Sequence, residues 1–445
     1  MANQKTDSVK IIRFFLMASS AAFLIAAGLA PDRGEMITGL ARILMSPAQL
    51  TKDYFAVGSV SGAFLNVSLV GFVCAAMTCL PGAAVNGLTV AAYFLTTGFS
   101  FWGINFLNMW PFFLGVMLHA LARKEPFPKY VNLAMFATAL CPFASEMLLR
   151  YPGNGEVHGI TIGSAALMLA VGMLIGFLTP AMAAHSPNVH KGYDLYSAAL
   201  PGVLLGLFGV AVLYKSLGHD VPEIKASLGE SHPGVVWAFC IVFFGLCILA
   251  GFWLNGKSFK GYGALLKDTG HKSDFAAKYG PGLAIVNVGV YGLMILAYYI
   301  FVNVVQGDAL AGFNGVTLGI VFCMVCFGGA GAHPGNVWPI MAGYVVFSFA
   351  ATLCLGGVFP VNAQAIMVGL CFASGLAPIA GNYGWWAGIL AGGMHYFLVT
   401  SIPAIHGGFS LYNGGFTSLM IAVILVPQLE TFCRTKEQRL AARKS

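Results

Sequence analysis

Charge is what this chain has least of. Of its 445 residues, 23 are Lys or Arg and 16 are Asp or Glu, so 9% are charged while 58% are hydrophobic. Soluble domains carry roughly a quarter charged residues, and a water-soluble globule of this length lacks the polar surface it needs. Low charge and dominant apolar content also exclude a disordered chain. Despite 56 glycines, no Gly-X-Y period runs through the sequence, which excludes a collagen. The apolar runs are long and do not alternate, which argues against an outer-membrane barrel. Several chemical signatures are absent as well: H-E-x-x-H, a P-loop, C-x-x-C-H, an Arg-rich voltage-sensing helix and a cluster of intramembrane carboxylates. No cofactor, metal or nucleic-acid partner is expected, and no catalytic residue can be assembled. The ten cysteines are scattered through apolar runs and read as buried free thiols. Cys323 and Cys326 form one C-x-x-C with no second pair.

What is present is a series of apolar stretches. A helix needs about 20 apolar residues to cross a bilayer. Fourteen candidate segments are centred near Ala21, Val67, Tyr93, Phe113, Ala139, Leu169, Leu207, Val242, Gly292, Ile320, Val345, Val368, Leu390 and Ile421. The expectation is an all-α polytopic membrane protein in which the short, Gly- and Pro-interrupted segments are broken or re-entrant. Leu29-Ala30-Pro31 is a poor cleavage site, so the run from Ile11 to Ala30 reads as a first membrane helix, not a removed signal.

The chain repeats itself. Asn86-Gly87-Leu88-Thr89 recurs as Asn314-Gly315-Val316-Thr317. At the same shift Phe94, Phe99, Gly103, Asn108, Trp110, Pro111 and Gly115 recur as Phe322, Phe327, Gly331, Asn336, Trp338, Pro339 and Gly343, giving 10 identities in 33 ungapped positions. Asp53, Asn66 and Gly71 match Asp274, Asn287 and Gly292, and Phe143-Ala144-Ser145 matches Phe372-Ala373-Ser374. Gly153-Asn154 matches Gly381-Asn382, and the segment from His190 to Tyr196 matches that from His406 to Tyr412. The expected organisation is a first repeat over 10–216, a polar joint over 217–233, a second repeat over 234–430 and a basic tail over 431–445.

Seven segments per copy is odd, so the second copy enters the membrane from the opposite side. The basic residues fit this. With the N-terminus cytoplasmic, Arg123, Lys124 and Lys129 fall inside, as do Lys257, Lys260, Lys267, Lys272 and Lys278, and the tail with Arg434, Lys436, Arg439, Arg443 and Lys444. The joint, with Asp220, Glu223 and Glu230 against Lys215 and Lys225, falls outside. Both termini are therefore expected in the cytoplasm, in a bacterial inner membrane. The NG-x-T, G-x4-N-x-W-P and H-x-G-aromatic-x-L-Y repeats resemble a bacterial membrane-protein family with an internally duplicated domain of unknown function. The resemblance implies a duplicated polytopic fold and no established activity. The layout is also similar to the seven-plus-seven inverted-repeat transporters.

Inverted repeats place solute and ion sites where broken helices meet. The G-x4-N-x-W-P block is the leading candidate: Asn105, Asn108, His333 and Asn336 as polar contacts, with Trp110 and Trp338 to stack on a planar solute. The competing reading is a helix-packing element with Trp in an interfacial belt. Ser145 and Ser374 can bond solute or Na⁺, or simply permit close helix approach. Glu146 is the acid deepest in an apolar segment and a candidate for ion coupling, although Arg150 one turn on suggests a structural pair. Asn86, Thr89, Asn314 and Thr317 can line a polar path for the ion or cap helix starts. His190, His406 and His395 are weaker candidates. The expected function is secondary transport of a small polar neutral or anionic solute, coupled to Na⁺ or H⁺. The alternatives are a passive channel and a membrane-embedded enzyme, and a homo-oligomer remains open.

Overall fold

The computed structural model describes residues 2–50, 52–153, 156–224, 229–307, 312–356 and 360–443, with side chains from residue 7 onward. Asn154, Lys225 and Lys444 lie outside the described residues. Among the described residues there is no strand. The first repeat comprises α1 (Ala2–Leu29), α2 (Val60–Thr78), α3 (Gly87–Phe99), α4 (Trp110–Ala122), α5 (Val131–Ala137), α6 (Cys141–Leu149), α7 (Ile162–His190) and α8 (Ala199–Leu213). The second comprises α9 (Pro233–Leu254), α10 (Pro281–Val305), α11 (Gly315–Val325), α12 (Pro334–Leu355), α13 (Gln364–Ala373), α14 (Ala377–Tyr383), α15 (Trp385–Leu398) and α16 (Asn413–Phe432). Helices eight numbers apart are therefore repeat equivalents, except that the break within α5–α6 and the break within α13–α14 fall at different positions of the shared register. Among the described residues ten helical stretches are long and apolar enough to cross a membrane, α5–α6 and α13–α14 each counting as one broken stretch. The remaining four expected centres fall on shorter helices: Tyr93 on α3, Phe113 on α4, Ile320 on α11 and Leu390 on α15. The chain is a multi-pass membrane protein.

Packing repeats along with sequence. α1 packs on α2 as α9 packs on α10, and α4 packs on α7 as α12 packs on α15. The glycines explain the last pairing. A Cβ at Gly115 would fall 2.9 Å from the Gly176 Cα, and one at Gly343 would fall 3.1 Å from the Gly392 Cα. Lipid supplies no hydrophobic drive between helices, so close backbone approach through small residues is what holds such pairs.

The two repeats meet along α3 and α11. Thirteen residues at 1.5 Å rise make α3 about 20 Å long. Gly87, which opens α3, lies against Gly329, just beyond α11. Gly315, which opens α11, lies against the Phe101 carbonyl, just beyond α3. Where the end of α3 meets the start of α11, a Cβ on Gly98 would stand 2.6 Å from the Gly319 carbonyl, and one on Gly319 would stand 2.5 Å from that of Gly98. Equivalent helices thus run antiparallel across a pseudo-two-fold axis, the arrangement that inverted repeats require. Around them Phe23, Phe64, Phe94, Phe101, Phe239, Phe243 and Phe322 interlock, with Phe23 and Phe322 edge-on at 5.1 Å and Phe64 and Phe239 at 4.9 Å.

Candidate functional site

Both central helices stop short, and beyond them the chain runs through the interior in turns, with a 3-10 turn at Cys326–Gly329, before α4 and α12 begin. Each backbone group freed there needs a partner. Asparagines supply them, in the same way in both halves. Asn66 on α2 donates its amide to the carbonyls of Ser100 (2.8 Å) and Ile104 (3.0 Å). Asn287 on α10 donates to Gly328 (2.8 Å) and Ala332 (2.9 Å). At the next turn Asn105 and Asn108 cap each other, each side-chain oxygen accepting the other's N–H at 2.8 Å. In the second half the Asn336 oxygen accepts the His333 N–H at 2.9 Å, and His333 Nδ1 accepts the Gly335 N–H at 3.1 Å. Asn108 also donates to the Gly103 carbonyl at 3.0 Å, and Asn336 to that of Gly331 at 2.8 Å.

The candidate residues therefore come together in part. Asn105, Asn108 and Ser145 form one cluster, the second amide hydrogen of Asn108 reaching Ser145 Oγ at 2.9 Å. Both amide hydrogens of Asn108 are thereby taken by the protein. His333 and Asn336 form a second cluster whose outer contact is His333 Nε2 on the Asp268 carbonyl at 2.9 Å. Burial holds the His333 imidazole below its usual range, against that carbonyl. The tryptophans stand apart from both clusters. Trp110 is 39% and Trp338 46% exposed on the outer face. Trp338 borders a lateral apolar cavity of about 470 Å³ with Met294, Tyr298, Phe301 and Met341. A second apolar cavity of the same volume opens between α1 and α9, against Phe64 and Phe243.

Asn86 caps α3, accepting the N–H of Leu88 at 3.0 Å and of Thr89 at 3.3 Å, while Thr89 Oγ1 accepts the Asn86 N–H at 3.0 Å. Asn314 caps α11 through the Thr317 N–H at 3.0 Å, and the Thr317 hydroxyl bonds the Gly312 carbonyl. Glu146 is 1% exposed and held on three sides, by Arg150 Nε at 2.8 Å and Nη2 at 2.7 Å and by the Tyr214 hydroxyl at 3.0 Å. In the connector before α2, burial and the Arg150 charge push the Lys52 amine down to about 8, against the opposing pull of Glu146. Ser374 lies in the other half, 3.3 Å from the Tyr196 hydroxyl, which is 2.8 Å from the Cys323 carbonyl on α11. His190 and His406 shape their loops: Nδ1 of each accepts a backbone N–H four residues ahead, from Asp194 at 3.1 Å and Ser410 at 3.2 Å. His395 bonds the Tyr344 hydroxyl and the Gly414 carbonyl.

Two acids that sequence reasoning matched but left without a role turn out to join the repeats. Asp53 accepts the N–H of Phe55 at 2.9 Å and, from the other repeat, that of Gly315 at 3.0 Å. Asp274 accepts the N–H of Ala277 at 3.0 Å and, again across, that of Gly87 at 3.2 Å. Each repeat therefore caps the other's central helix with a carboxylate, at the end where the helix dipole favours negative charge. Burial pushes the Asp53 carboxyl up to about 6, against the pull of those N–H groups. The duplicated aspartate ahead of an aromatic residue was the signal available in the sequence.

The family model described as a protein of unknown function, DUF1576, matches the chain twice, over residues 32–215 and 254–431. The chain belongs to this family. No curated protein and no solved structure matches it. Both matches begin where the first helix of a repeat ends: α1 ends at Leu29, just before the first match, and α9 ends at Leu254, the first residue of the second. The unit that this family model describes thus carries the central helix, the asparagine staples and the capping aspartate in each copy, and leaves α1 and all but the last residue of α9 outside. Among the described residues no cluster of three or more His, Cys, Asp or Glu side chains is placed to hold a metal ion.

Proposed function

We propose that this protein is a secondary active transporter of a small polar solute, neutral or anionic, coupled to Na⁺ or H⁺ across the bacterial inner membrane, with both termini cytoplasmic. The observation that carries this reading is the antiparallel contact of α3 and α11 with their exchanged aspartate caps. Two inverted halves that share a central helix pair can exchange conformations, each taking the shape the other had. That exchange opens a central site to one side and then the other. Asn108–Ser145 and Tyr196–Ser374 are the polar groups beside this axis and the first places to look for solute contacts. Glu146 is already bound by Arg150 and Tyr214, which disfavours a cationic solute there.

A panel of nucleobases, amino acids and carboxylic acids, scanned for thermal stabilisation of the purified protein with and without Na⁺, tests this directly. A stabilising solute is then followed in proteoliposomes. Saturable, gradient-dependent uptake with counterflow is expected. Flux that rises linearly and ignores ion gradients would make the protein a channel and overturn the proposal. A membrane enzyme would need Glu146, His190, His333 and His406 to converge, and no hydrogen bond joins any two of them. Each is occupied elsewhere: Glu146 by Arg150, His190 by Ser197, His333 by the Asp268 carbonyl and His406 by Asn413.

A further inference from the structure

The segment between α7 and α8 does not skirt the surface. Its Leu195 N–H donates to the Gly375 carbonyl at 3.0 Å, and its Tyr196 hydroxyl reaches the Cys323 carbonyl on the central helix α11. Between them and His190 sits Asp194, 2% exposed. Its Oδ1 accepts the Tyr196 N–H at 3.1 Å, and its Oδ2 is buried with no hydrogen-bond partner. Among the described residues no ion pair reaches it. Desolvation strongly disfavours a carboxylate left in that state, whereas a carboxylic acid does not carry that cost.

The repeat register adds a second, independent observation. Asp194 stands where the other copy has Ser410, and Glu146 stands where the other copy has Gly375. Asp194 and Gly375 are in contact: a Cβ on Gly375 would lie 2.5 Å from Asp194 Oδ1. The glycine is the space that the aspartate fills. Both buried acids therefore belong to the first repeat, the second having Gly375 and Ser410 in their places, and the two acids differ. Glu146 is neutralised by Arg150 and bonded by Tyr214. Asp194 has neither a cation nor a hydroxyl.

Resting on the transporter reading, we infer that Asp194 is the proton-binding group through which transport is coupled to H⁺. The carboxylate takes one proton from water on one side of the membrane, forming the O–H bond at Oδ2, crosses the conformational change as the neutral acid, and releases the proton on the other side. The titratable groups on the surrounding elements do not compensate it. His190 turns its Nδ1 to the backbone N–H of Asp194 and its Nε2 to Ser197 at 2.6 Å. Tyr196 is bound at Cys323, and Tyr193 lies against the His271 ring. Lys272 covers Gly192, and Lys191 pairs with Glu430. Burial in this connector pushes the carboxyl up to about 8.

The test uses the full-length protein, its Asp194→Asn and Asp194→Glu variants, and the proton itself as probe. A folded-state carboxyl raised above its unfolded value contributes stability that is full at low pH and is lost as pH rises through about 8. The parent should therefore melt at lower temperature at pH 9 than at pH 6. Its infrared difference spectrum between those pH values should lose a protonated-carboxyl band. The Asn variant should lose the carboxyl component that titrates near pH 8 and the matching part of the melting shift, keeping only the part that comes from other groups such as Asp53, whose carboxyl sits at about 6. In pyranine-loaded proteoliposomes, proton entry on adding the solute that best stabilises the protein should vanish in Asp194→Asn, while solute counterflow persists. Asp194→Glu should recover proton entry at least in part. A parent without the infrared change, or an Asn variant that keeps solute-driven proton entry, overturns the inference. Loss of counterflow together with proton entry also overturns it, because the residue would then be needed for solute passage itself. If the infrared change is present but no solute moves, the proton site stands and the transporter reading falls.

Discussion

Removing the Asp53 side chain tests whether the exchanged caps hold the repeats together. Asp53→Ala deletes the cap of the short helix Tyr54–Val57, worth about 0.5–2 kcal/mol. It also strands the N–H of Gly315 at the start of α11, where both residues are buried, at a further cost of about 1–3 kcal/mol. Together the loss should be about 2–4 kcal/mol. Asp274 makes the same two kinds of contact but is only partly buried, so water can replace it, and Asp274→Ala should cost about 1 kcal/mol. Asp53→Asn keeps an acceptor at Oδ1 and sheds a buried charge, so it should cost well under half of the Ala change. Unfolding in mixed detergent micelles, titrated with SDS and followed by circular dichroism, measures all three. Equal losses for Asp53→Ala and Asp274→Ala, or an Asn variant as damaged as the Ala one, would refute the reasoning. The caps would then be incidental to the joint between repeats.

The same assay should show Glu146→Gln losing about 3 kcal/mol by leaving Arg150 unpaired. Glu146→Gln combined with Arg150→Met should recover part of that loss. Gly98→Leu should cost about 3 kcal/mol or more, since the side chain has the Gly319 carbonyl and the Cys323 sulfur in its path. A neutral result there would place the axis elsewhere. The proposed orientation is checked with the two exposed cysteines, Cys79 at the end of α2 and Cys354 at the end of α12. A membrane-impermeant maleimide should label Cys354 in intact cells, and Cys79 only after permeabilisation. The reverse pattern would invert the topology.

The repeat was legible in the sequence because duplication left identities where the backbone leaves helical geometry. Those positions tolerate few side chains, and the asparagines are its clearest trace. What they do there was not legible. The carbonyls that Asn66 serves lie 34 and 38 residues away, and a single sequence does not pair them. Glu146 with Arg150 could be read from one turn of spacing, whereas Tyr214, 68 residues on, could not. The tryptophans were ambiguous for a different reason. Helices this apolar on all sides carry no amphipathic stripe to say which face meets protein and which meets lipid. Exposure of Trp110 and Trp338 follows from packing of α4 on α7 and α12 on α15 through the glycines one turn further along.

The two copies agree and differ at different kinds of position. Where they agree, in the staples Asn66 and Asn287, the turn residues Asn108 and Asn336 and the caps Asp53 and Asp274, the side chains satisfy backbone groups that lipid cannot. Such residues are needed twice because the fold occurs twice. Where they differ, at Asn105 against His333, Glu146 against Gly375 and Asp194 against Ser410, the difference is a titratable group on one side only. Fold symmetry demands none of these groups. An inverted repeat with equal halves has two conformations of equal energy, and a gradient can drive work only if some group's charge state distinguishes them. Residues kept in both copies therefore report how the protein stands in the membrane. The unmatched acids and histidine are the ones free to report what it does, and of these Asp194 alone is a buried acid left without a partner for one of its oxygens.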